Sequence, residues 1–395
     1  YCQYFDVQAK SFPMRRFLSH IIGEGIQECT LSTPQCSKPL DHLLTKKHND
    51  FSKASEREKM MSEPLPALRP VDFIPTRHEG QTVVVMRDPE GICEGMMVLR
   101  MPAFFIASCF DGANRLKDVQ VAFERQFGQQ VKDDDILSLC RQLDAQGLLL
   151  TRMYYEKKQA LEDEFDALPA RPAAHAGEAY PTDPAALKAA FEAYFSLEGG
   201  AGPLDGVGAG KREVTGLVMP DIDPRCGGRC ASWGLKALAE SAPPDLFVIF
   251  GTAHHGLPEA FSVSDKDFET PLGRVEVDRE FVSRLRSHWK TGRFSGSGLI
   301  HKTEHSIEFQ VMFLHALYGE PAPFKIVPVL CDSLHEFMSS ADDLENDDEI
   351  REFCEALRSE AESSGKRVCF VAGADLAHMG RKFGDEFSID DEVIE

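Results

Sequence analysis

From residue 213 onward the chain alternates short apolar, β-branched runs with helical stretches. The runs are Val214–Met219, Leu246–Phe250, Ile326–Leu330 and Val368–Ala372. Between them lie stretches of helical character such as Ala231–Ser241 and Glu304–Leu317. Leu246–Phe250 and the run from Val368 have the length of buried strands, and the alternation of such runs with helices predicts an α/β fold with a largely parallel sheet covered by helices. Each run is followed by polar residues. Pro220-Asp221-Ile222-Asp223 follows the first and Gly251-Thr252-Ala253-His254-His255 the second. Cys331-Asp332-Ser333 follows the third and Gly373-Ala374-Asp375-Leu376-Ala377-His378 the fourth. Ligands of open α/β sheets bind beyond the carboxyl ends of the strands, so this edge is the expected site.

His254 and His255 are neighbours at a strand end, where successive side chains point to opposite sides. One can face a site while the other packs, and with Asp221 and Asp375 at the same edge His254 is the candidate. Thr303-Glu304-His305-Ser306-Ile307-Glu308 opens a helix, with Thr303 or Ser306 as the expected N-cap. His305 and Glu308 share a face at i, i+3. A carboxylate at that spacing can hold a histidine for proton transfer or for metal binding, or can form an ordinary surface pair. Asp375 and His378 repeat the spacing just after a strand.

Other chemistries fit poorly. The net charge of −21 disfavours nucleic acid and anionic membrane surfaces, which are bound through clustered Lys and Arg. No apolar run approaches the length of a membrane span. There is no phosphate-binding Gly-x-x-x-x-Gly-Lys loop and no nucleophile elbow. Cys226 and Cys230 have no second pair at zinc-site spacing. The eleven cysteines are irregularly spaced and several lie inside apolar runs, which predicts free thiols and a reducing, cytoplasmic setting.

The amino-terminal region is organised differently. Residues 1–60 carry nine basic and seven acidic residues, so a net −23 lies on 61–395. The segment has no sustained periodicity and is expected to be a non-native or upstream extension. Residues 70–153 predict a small α+β module: strands over Thr82–Arg87 and Met96–Arg100, a helix presenting Leu116, Val119, Phe123 and Phe127, and a second presenting Ile136, Leu139, Cys140 and Leu143. This pattern resembles a PqqD-like winged-helix module, which implies a peptide partner. A structural adaptor is the alternative. Residues 154–172 are expected as an exposed connection to an α/β domain over 173–395.

That domain resembles the Memo family, whose bacterial branch is called AmmeMemoRadiSam system protein B. The resemblance rests on His175-Ala176-Gly177 with Tyr180, Pro220, the Gly251–His255 turn, Glu304-His305-Ser306-Ile307-Glu308 and Asp375-Leu-Ala-His378, in that order. Thr270-Pro271-Leu272-Gly273 and Ile326-Val-Pro-Val-Leu330 add to it. It implies a fold similar to class III extradiol dioxygenases and a non-haem iron or copper site. Asp221 and His254 would be ligands, with His305, Asp375 and His378 catalytic and His175, His255 and Glu308 lining the pocket. The family more often has His where Asp221 stands, and its Cys ligand lies in a carboxyl-terminal part beyond Glu395, so a C-terminally truncated domain is expected. The implied function is metal-dependent oxidation of a small molecule. The alternative is a non-catalytic metal- or ligand-binding adaptor working with a radical-SAM or peptide partner.

Overall fold

The structure is a computed structural model. It describes residues 63–389 except 79, 89, 94, 205, 209, 211, 258, 290–297, 334–346, 376–378 and 382–385. The 1–60 segment and His378 therefore lie outside the described residues. The chain divides between Ala160 and Leu161 into two compact units, each with its own core.

In the first unit, strands β1 (Asp72–His78), β2 (Gln81–Arg87) and β3 (Met97–Arg100) form an antiparallel sheet in the order β1-β2-β3. Helices α1 (Met101–Ser108), α2 (Leu116–Phe127) and α3 (Asp133–Ala145) follow. Leu116, Val119 and Phe123 of α2 are buried, as are Ile136, Leu139, Cys140 and Leu143 of α3. Gly128 ends α2 at φ +66°, the left-handed conformation that favours glycine at a helix terminus. The stretch expected as an exposed connection is mostly a helix, α4 (Arg152–Ala167). Its charges sit on good helix formers, with Arg152 and Glu156 paired at i, i+4. The helix is largely exposed, as expected, but the end of the stretch is not. There, already in the second unit, strand β4 (Ala170–Arg171) pairs with β8 (Asp267–Thr270), and Arg171 is completely buried.

In the second unit, β5 (Gly216–Pro220), β6 (Leu246–Thr252), β10 (Lys325–Cys331) and β11 (Val368–Ala374) run parallel. The sheet order is β5-β11-β6-β10-β7, and the short edge strand β7 (Phe261–Val263) runs antiparallel to β10. A smaller sheet joins β4, β8 (Asp267–Thr270) and β9 (Gly273–Val275). Helices α5 (Pro184–Ser196), α6 (Pro224–Ala239), α7 (Arg279–His288), α8 (His305–Tyr318) and α9 (Asp348–Ser363) pack around this framework. The expected mixed α/β architecture is therefore observed, with sheets flanked by helices. Among the described residues no helix is long and apolar enough to cross a membrane, and the eight described cysteines carry free thiols.

Helix α8 is buried continuously from Ser306 to His315. A helix apolar or satisfied all round belongs to a core rather than a surface. Its amino end reaches the sheet because two strands carry glycine there. A Cβ on Gly251 of β6 would lie 2.7 Å from Ile307 Cγ1, and one on Gly373 of β11 would lie 2.9 Å from Gln310 Nε2. The close approach lets Ser306 Oγ donate to the Thr252 carbonyl at 2.9 Å. Gly251→Ala is expected to lower the free energy of unfolding by about 1–3 kcal/mol through overpacking. Urea denaturation checks this, and an unchanged midpoint would mean that α8 shifts without cost.

Candidate functional site

The parallel register brings Pro220, Thr252, Cys331 and Ala374 to one edge of the sheet. Asp221, His254 and Asp375 follow their strands there, and His305 arrives from the first turn of α8. Asp221 is pinned by its own backbone N–H, which donates to the Ala374 carbonyl at 3.0 Å. Asp221 Oδ2 lies 3.8 Å from His254 Nε2, and Asp221 Oδ1 lies 3.7 Å from His305 Nε2. The two imidazoles stack with centroids 4.4 Å apart and planes inclined by 25°. Asp375 Oδ2 lies 3.2 Å from His254 Nε2.

Glu304, a residue the sequence reading left without a role, organises this group. It is the N-cap of α8 in place of the expected Thr303 or Ser306. Its Oε1 accepts from the backbone N–H groups of His305 at 2.8 Å and Ser306 at 3.2 Å. The same oxygen lies 2.9 Å from His254 Nδ1 and 3.2 Å from His305 Nδ1, while Oε2 accepts from the His254 backbone at 3.0 Å. A carboxylate can only accept, so these contacts place an N–H at each Nδ1. The Asp375 contact places a second N–H at His254 Nε2, and both Nε2 atoms are turned towards Asp221.

The charges follow from this packing. Burial raises Asp221, against the opposing pull of His305 and His254, to about 7. Burial would lower His254, but Asp375, Glu304 and Asp221 carry it up to about 11. His305 is raised by Glu304 and Asp221 against the same burial. Glu304 is held well below the usual carboxylate range because the two imidazoles outweigh its burial.

Both Asp221 carboxylate oxygens are buried and accept no hydrogen bond among the described residues. A buried carboxylate that accepts no hydrogen bond is costly, even with two imidazoles 3.7 and 3.8 Å away. Asp221, His254 and His305 also form a group whose ligand atoms lie within 4.8 Å of one another. Two bonds of about 2.1 Å to a common ion span up to about 4.2 Å, and the measured 3.7 and 3.8 Å separations fall inside that reach. Two imidazoles and one carboxylate are the donors of a non-haem iron triad. The residues present therefore fit a single metal ion.

The other candidates take different places. His255 is exposed and stands outside the ligand group. His175 is half-buried, with its ring 5.7 Å from that of His305 and its Nε2 donating to the Thr303 carbonyl at 2.8 Å. Glu308 does not hold His305. It turns to the segment 171–180, where it accepts from the backbone N–H groups of Ala174 and His175 at 3.0 and 2.9 Å and from the Tyr180 hydroxyl. It also pairs with Arg171 at 2.5 Å. The i, i+3 spacing was a true neighbour relation on the helix, but the buried Arg171 outcompetes an imidazole for the carboxylate. Arg171 escaped sequence reading because it sits in a Pro/Ala-rich stretch that looks exposed.

An α/β protein with a histidine–carboxylate cluster at the carboxyl edge of its parallel sheet is the class that fold and site define. Residues 171–394 match the family described as "Memo-like protein", and the chain belongs to that family. It is 28% identical over 306 residues to a MEMO1 family protein of Aquifex aeolicus (strain VF5), covering 78% of this chain and 74% of the relative. It is 35% identical over 209 residues to a MEMO1 family protein of Methanopyrus kandleri, covering 53% of this chain and 69% of the relative.

Below the site, His301 is buried, with Nε2 3.3 Å from Ser262 Oγ. Burial, reinforced by Arg171, pushes its imidazole down to about 3. The folded protein resists protonating His301 while the unfolded chain protonates near pH 6.5. Its contribution to stability is therefore whole above about pH 6.5 and is lost as pH falls towards 3, at up to about 1.4 kcal/mol per unit. His301→Gln is expected to flatten the fall in unfolding free energy between pH 6.5 and 5. Equal slopes for the two proteins in urea titrations would rule this out.

Proposed function

We propose that the Memo-like domain holds one non-haem metal ion, iron foremost, on Asp221, His254 and His305, and that the site serves metal-assisted oxidation of a small molecule. The observation that carries this reading is the buried Asp221 carboxylate, without hydrogen bonds and facing two Nε2 atoms. Support also comes from Glu304, which arranges both rings by their Nδ1 atoms. The oxidation chemistry rests on the resemblance to extradiol dioxygenases.

When bound, the metal would supply Lewis acidity and redox capacity at the sheet edge. The protein's own residues do the remaining work. Glu304 holds the Nδ1 N–H of both imidazoles and stays ionised, so that loss of the Nε2 proton leaves that atom free to ligate. Asp375, 3.2 Å from His254 Nε2 and partly open to solvent, is placed to accept or hold a proton at its Oδ2. His175 stands beside His305, their rings 5.7 Å apart, and Phe309 packs edge-on against the His175 ring at 5.8 Å.

Anaerobic loading with Fe(II), followed by metal analysis after desalting, tests the reading. The wild type is expected to retain about one ion per chain. Asp221→Ala, His254→Ala and His305→Ala should each retain little. Glu304→Gln should weaken binding by about 10–100-fold, as loss of an orienting partner does. Oxygen uptake on catechol-type substrates by the loaded wild type would separate an enzyme from a binding protein. Equal metal retention in the three ligand variants would exclude this site.

A further inference from the structure

Arg171 and Glu308 lie behind the candidate metal group and supply none of its ligand atoms. We propose that they form a positioning latch. The pair fixes the strap 171–180, and with it His175, against the helix that carries His305, and it holds the turn that presents Glu304. This deepens the metal reading above and rests on it for one of its two measurements.

The contacts are specific to a positioning role. Arg171 donates from Nε to the His301 carbonyl at 2.6 Å, from Nη2 to the Glu304 carbonyl at 2.8 Å and from Nη1 to the Pro172 carbonyl at 2.9 Å. Its guanidinium also lies 5.0 Å from the Phe268 ring centroid. Glu308 divides its two oxygens among the strap: Oε1 takes the His175 N–H and the Tyr180 hydroxyl, and Oε2 takes the Ala174 N–H and Arg171. Both side chains are almost wholly buried, at 0% and 1% exposed.

Stability alone is a poor reason for such a pair. Burying two charges costs heavily in desolvation, and well-packed apolar residues of similar volume often hold a fold as well or better. Apolar residues could not accept two strap N–H groups on one side and donate to two turn carbonyls on the other. Those four backbone contacts are what the ion pair adds. They connect residues more than 120 positions apart, and they end on the two elements that flank the metal group.

Two variants of the full chain separate positioning from stability. Glu308→Gln keeps the shape but turns one acceptor into a donor. The double variant Arg171→Met/Glu308→Leu removes both charges and fills the space. Amide hydrogen exchange at Ala174 and His175 is the metal-independent measurement. Co(II) affinity and the visible spectrum of the Co(II) complex form the second. Both variants are expected to exchange these two amides at least about tenfold faster than wild type, as local opening requires. Both are also expected to bind Co(II) about tenfold more weakly with an altered spectrum, even where the double variant melts at the wild-type temperature. Wild-type exchange at both amides in Glu308→Gln would overturn the latch. So would a double variant with wild-type affinity and spectrum. If the wild type binds no Co(II), the metal reading fails, and the exchange rates alone decide the latch.

Discussion

The carboxylate of Glu304 is the interaction on which the rest of the site depends. One side chain ends the loop before α8, accepts the first free N–H groups of that helix and fixes both imidazoles. These tasks are compatible only because the helix start, the β6 turn and the two rings converge on one point. Removing the carboxylate would uncap a buried helix and unbind two histidines together, so the fold and the site share a single anchor.

Two constraints from packing make the convergence possible. Gly251 and Gly373 remove side chains where β6 and β11 meet α8, and the helix settles directly on the sheet. The parallel register then brings the ends of β5, β6 and β11 level, so Asp221, His254 and Asp375 arrive at the same height. A register shift by one residue would turn Asp221 to the opposite face of its strand. Backbone pairing thus sets the height at which these three residues arrive, and Glu304 sets the orientation of the two rings.

This explains what could be read from the chain and what could not. The four parallel strands and the edge where their polar sequels gather, Asp221 and His254 among them, follow from local or periodic features and were legible. Glu304 and Arg171 were not. Glu304 was masked by better N-cap residues on either side, Thr303 and Ser306, and its choice depends on His254, fifty positions earlier in the chain. Arg171 stands in a stretch whose composition indicates exposure, and only the distant carbonyls of His301 and Glu304 with the Glu308 carboxylate make its burial tolerable. Glu308 was assigned to the correct helix but to the wrong partner, because spacing reports which residues are neighbours and not which competitor wins.

The position of α8 has an electrical consequence. Aligned peptide dipoles give a helix the equivalent of roughly half a positive charge at its amino end. Here that end is buried and meets Glu304 directly, with Asp221 just beyond. The backbone therefore carries a fixed positive potential into a cluster of carboxylates, and no change of pH titrates it away. Any group that approaches the sheet edge meets this constant background, which the fourteen residues of the helix maintain simply by remaining folded.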